Sequence, residues 1–66
     1  MTSHKIGIEI ETGNAAFEDD EAFEVGRILM EYGRRLVAGE MNIHTMGLKL
    51  YDINGNPVGT VKVEPC

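Results

Sequence analysis

Apolar and polar residues alternate strictly from Lys5 to Glu11: Ile6, Ile8 and Ile10 fall on one side, Lys5, Glu9 and Glu11 on the other. A period of two predicts a strand with one buried face. The alternation stops at GNAAF, residues 13–17, whose turn formers predict a loop. The pattern then takes the period of a helix. Asp19 or Asp20 is placed to cap its start, with more acids in its first turn. The helix is expected to reach about Ala38, with Arg34 and Arg35 in its last turns and Gly39 in the left-handed position past its end. Residues 40–46, EMNIHTM, show no clear period and read as a connector. GLKLYDI and VGTVKVE then read as two strands. Asn54-Gly55 between them predicts a hairpin, because both residues tolerate positive φ. Pro57 lacks an N–H for the ladder and belongs to the turn or to the first strand position.

This pattern predicts one α+β domain over residues 1–66, in the order β-α-β-β. The helix returns the chain alongside the first strand, so a three-stranded antiparallel sheet in the order 1-3-2 follows, with 1-2-3 as the alternative. The helix would pack on the face carrying Ile6, Ile8, Ile10, Leu48, Leu50, Val61 and Val63. The opposite face would show Glu9, Glu11, Lys49, Tyr51, Thr60 and Lys62.

The helix has more apolar surface than such a sheet can cover. Advancing about 100° per residue from Val25, the residues Val25, Ile28, Leu29, Tyr32 and Leu36 fall between about 300° and 40°. They form the expected core stripe. Phe23, Gly26, Met30, Gly33 and Val37 form a second stripe between about 80° and 160°. Each glycine costs about 0.8–1 kcal/mol relative to Ala inside a helix. Their lack of a Cβ allows another backbone to come close. Two coverings fit this stripe: Met41, Ile43 and Met46 of the connector, or another molecule. The simplest such molecule is a second copy in a C2 homodimer.

Size sharpens the point, since a chain of 66 residues builds only a thin core. Cys66 is the sole cysteine, so no intramolecular disulfide can staple the fold, and a reducing compartment is expected. The opening MTSHKIGIEI lacks the apolar core of a signal peptide, and no run is long enough to span a membrane. The expectation is a soluble cytoplasmic protein.

The net charge of -5 is uneven. Residues 1–26 hold one lysine and seven acids, a sum of -6, and residues 27–66 hold five bases and four acids, a sum of +1. Arg27, Arg34 and Arg35 alone make a poor footprint for nucleic acid. Five acids, Glu18, Asp19, Asp20, Glu21 and Glu24, gather around the helix start. One or two suit the helix dipole and cap. The whole cluster suits a face that docks on a basic protein surface.

Candidate chemistry is sparse. Adjacent acids diverge and do not enclose a cation. DINGNP begins with the odd-position spacing of an EF-hand, but Gly55 stands fourth and Pro57 sixth, so it reads as a turn. His4 and His44 have no ligand-spaced partners. No nucleophile–base arrangement or phosphate loop is present. The expectation is a non-enzymatic protein without metal or cofactor.

Taken together, IEIETGNAAFEDD, FEVGRIL and YDINGNPVGTVKV resemble a group of short bacteriophage and prophage proteins with an N-AAF-D loop and a DINGN-VG hairpin. The likeness covers roughly Ile8 to Val63. Gly26 and Gly33 stand where that pattern often has Ala, and Tyr51 where it often has Arg. The resemblance implies a phage-encoded accessory protein of the bacterial cytoplasm and assigns no functional residues. Two roles are expected to compete. One is an inhibitor of a host defence nucleoprotein complex, such as an anti-CRISPR protein, binding through the acidic face. The other is a structural or regulatory homodimer of the phage itself.

Overall fold

A computed structural model describes residues 3–44 and 48–65. Strand β1 spans His4–Ile10, a single 3-10 turn Ala15–Phe17, helix α1 Glu21–Val37, β2 Lys49–Tyr51 and β3 Pro57–Pro65. The sheet order is β1-β3-β2, with both pairings antiparallel. The long last strand is therefore central, as the pattern predicted.

Local chemistry sets the boundaries of α1. Asp20 is extended at φ -154° and its carboxylate accepts the Phe23 N–H at 3.0 Å, which satisfies one orphan donor of the first turn. At the other end Gly39 adopts φ 76°, its N–H donates to the Leu36 carbonyl, and the Glu40 N–H donates to that of Arg35. These two bonds form a Schellman motif.

The β2–β3 hairpin differs from the expected turn. Only Gly55 has positive φ, at 83°, and Asn54 does not. The Gly55 N–H donates to the Asp52 carbonyl at 3.0 Å, while the Asp52 N–H donates to the Asn56 carbonyl at 2.9 Å. This is a three-residue loop closed by a left-handed glycine, so one positive φ suffices. A bulge follows: Leu50 pairs with Gly59 but Tyr51 with Pro57. The extra residue, Val58, is turned into the core beside Val61.

Phe17, Ile28, Tyr32, Leu50, Val58 and Val61 form the core, with Ile10, Val25, Leu36, Met41, Ile43 and Val63 packed around it. The helix lies against the 3-10 turn and β2 and leaves β1 largely uncovered. Its buried residues are Glu24, Ile28 and Tyr32, so the inward direction is rolled by about 50° from the expected stripe. Leu29 is exposed as a result, and Ile6 and Ile8, expected beneath the helix, are each 48% exposed. Gly59 marks where β1 comes closest: a Cβ there would strike the Glu9 carbonyl oxygen and crowd Ile10 Cα.

Candidate functional site

The acidic cluster divides into three environments. Glu18, Asp19, Asp20 and Glu21 are all exposed. Asp20 is committed to the helix cap, and Glu21 accepts a hydrogen bond from the Thr12 hydroxyl. Glu18 and Asp19 make no ion pair among the described residues.

Glu24 does not belong to this face. It is 4% exposed. Arg27 grips its two carboxylate oxygens at 2.7 and 2.9 Å, and the Ile53 N–H donates to one of them at 2.9 Å. Hydrogen bonding from Arg27 lowers the Glu24 pKa, against the opposing effect of burial, and the bond from Ile53 adds to the lowering. Glu24 raises the Arg27 pKa in return. Both charges are spent on latching α1 to the hairpin. Helical spacing placed Glu24 beside Asp20 on the polar arc. The missing signal was the unpaired Ile53 N–H in a loop distant in sequence.

A second buried carboxylate, Asp52, organises the hairpin. Its Oδ1 accepts the Asn54 and Asn56 N–H groups at 2.9 and 2.8 Å, and its Oδ2 accepts the Asn14 side-chain amide at 2.8 Å. The Asn14 amide oxygen in turn accepts the Ala16 N–H at 2.9 Å and starts the 3-10 turn. Burial pushes the Asp52 pKa up, but these bonds outweigh it and the net direction is down. The NAAF and DINGN segments are therefore joined through Asn14 and Asp52. They tie the two loops together.

The second helix stripe is open. Phe23, Met30 and Val37 are 69%, 77% and 91% exposed. Gly26 and Gly33 lie between them in a shallow groove flanked by Arg27 and Arg34. A Cβ at either glycine would meet nothing within 4 Å. Met41 and Ile43 pack on the core instead, so they do not cover the stripe as one reading expected; Met46 lies outside the described residues. The absence of any neighbour at these glycines shows that packing within the described chain does not require them.

These surfaces belong to a small α+β fold, three antiparallel strands with one helix on one face. In comparisons with protein families, curated proteins and solved structures, nothing matches the chain. Among the described residues no three His, Cys, Asp or Glu side chains gather to hold a metal ion. No helix among them is long and apolar enough to cross a membrane. Among the described residues the arrangement offers two features suited to macromolecular contact: carboxylates without ion pairs at the helix start and an apolar helix face that no other element covers.

Proposed function

We propose that this chain is a phage-encoded accessory protein of the bacterial cytoplasm that acts by binding another protein. Its acidic loop engages a basic surface, and a host defence nucleoprotein complex is the fitting target, since such a complex displays basic grooves for nucleic-acid phosphates. The observation that carries this reading is the free state of Glu18 and Asp19 at the helix start. The resemblance to short phage proteins supports the setting.

The test reverses Glu18 and Asp19 to Lys and leaves Asp20 and Glu21 in place. Asp20→Lys would remove the helix cap, whose loss costs about 0.5–2 kcal/mol, and would confuse binding with folding. Affinity capture from host lysate, read by mass spectrometry, should recover a nucleic-acid-binding complex with the wild type and lose it with the variant. Equal recovery by both would reject the acidic face.

A structural or regulatory homodimer without a host target is the second reading. The exposure of Phe23, Met30 and Val37 favours it, because contiguous exposed apolar surface marks interaction sites. Met30→Asp should abolish self-association if the stripe is the seam.

A further inference from the structure

The two edges of the sheet are built differently. β2 has three residues, and its pairing with β3 is broken by the bulge. That is how an edge is blunted against further pairing. β1 has seven residues in unbroken register with β3, and no proline interrupts it. Its other edge meets no strand among the described residues.

The backbone groups on that free edge follow from the ladder. The Glu11 N–H donates to the Val58 carbonyl at 2.8 Å, so the odd residues of β1 bond to β3. The N–H and C=O groups of His4, Ile6, Ile8 and Ile10 therefore point to the open side. The side chains of Ile6 and Ile8 remain half exposed on the helix side of the sheet.

The strand sequence is complementary to itself. In an antiparallel pairing centred on Gly7, Ile6 of one copy faces Ile8 of the other, and Lys5 faces Glu9. Each cross-strand pair occurs twice. His4 faces Ile10 at the ends, and Gly7 faces Gly7 at the two-fold axis. The parity also agrees. The four pairs formed by the even residues are the hydrogen-bonded ones and exchange about eight main-chain bonds, two per pair. The Lys5–Glu9 pairs are then non-hydrogen-bonded, where opposite side chains lie closest.

We propose that β1 is a self-recognition edge. A second copy of this chain adds to it antiparallel about Gly7 and makes a six-stranded sheet. The occupant is a second copy because the charge order Lys5-Ile6-Gly7-Ile8-Glu9 is complementary to its own reverse, each lysine meeting a glutamate. The inference is independent of the acidic-face reading, and it places the seam of self-association on the strand and not on the helix.

Sedimentation over a concentration series tests it. The wild type should show a dimer that strengthens with concentration. Lys5→Glu alone and Glu9→Lys alone should each weaken self-association about tenfold, since like charges then oppose each other twice; Glu9→Lys also gives up the 3.5 Å ion pair to Lys62 within the chain, so Lys5→Glu reads the seam more directly. An equimolar mixture of the two variants should restore a heterodimer, because each lysine-bearing strand then faces a glutamate-bearing one. Hydrogen exchange on the wild type gives a second measure that needs no variant: the Ile6 and Ile8 amides should slow as the dimer forms. A wild type that stays monomeric throughout overturns the proposal. So does a dimer that survives both charge variants, or one abolished by Met30→Asp with the Ile6 and Ile8 amides still exchanging freely.

Discussion

Replacing Gly26 and Gly33 with Ala should separate stability from binding. Both glycines lie inside α1, neither has positive φ, and an added Cβ meets nothing within 4 Å. The isolated chain should therefore gain the helix propensity of alanine, about 0.8–1 kcal/mol at each position. The sites are two turns apart, about 10 Å along the axis, so the gains should add to about 1.6–2 kcal/mol. For a domain of this size that is a rise in Tm of about 4–8 °C per kcal/mol. Urea and thermal unfolding followed by circular dichroism, at low protein concentration, would measure it. The same methyl groups raise the floor of the groove lined by Phe23, Met30 and Arg34. A partner seated there should bind the stabilised variant more weakly. A variant no more stable than the wild type would refute the reasoning, because it would mean that the isolated fold itself requires these glycines.

Gly59→Ala is the opposite case. Its Cβ collides with the Glu9 carbonyl and must push β1 from β3, so the variant should unfold at markedly lower urea, and unchanged stability would contradict the β1–β3 approach. Leu50→Ala removes the most deeply buried side chain and should cost about 2–5 kcal/mol in equilibrium unfolding. The Tyr32 hydroxyl is buried, with no hydrogen-bond partner among the described residues, and burial raises its pKa. Tyr32→Phe should therefore be neutral or stabilising, by up to about 1–3 kcal/mol, and a clear loss would reveal a partner for the hydroxyl. The pKa values of Asp52 and Glu24 are both lowered in the fold, so the unfolded chain takes up their protons first on acidification. Their contribution is fully present above the unfolded values of about 3.9 and 4.3. It is lost as pH falls through the lower folded values. Urea midpoints should be flat near neutrality and drop in acid, and Asp52→Asn should make that drop shallower; an unchanged slope would argue against the Asp52 network.

Much of this architecture was legible in the chain. The period-two alternation of β1, the helix with its Asp20 cap and Gly39 stop, and the hairpin at Gly55 all rest on interactions within a few residues. Such interactions are written in short stretches of sequence. Strand order also followed, since a helix that returns the chain and a tight hairpin together favour a central β3. The second stripe was visible as well, because helical geometry alone sets which residues share a face.

What required the tertiary structure was everything decided between distant segments. The roll of α1 depends on where an Ile53 N–H waits for a carboxylate, and it moved Glu24 from the acidic face into the core while turning Leu29 outward. Phe17 reads as a loop residue, yet the Asn14–Asp52 bond seats its turn against the helix and makes it a core anchor. The bulge at Val58 re-aims a side chain that strict alternation places on the other face. The uncovered state of Ile6 and Ile8 follows from the helix lying over β2. Periodicity shows which residues share a face, but only packing shows whether that face is covered.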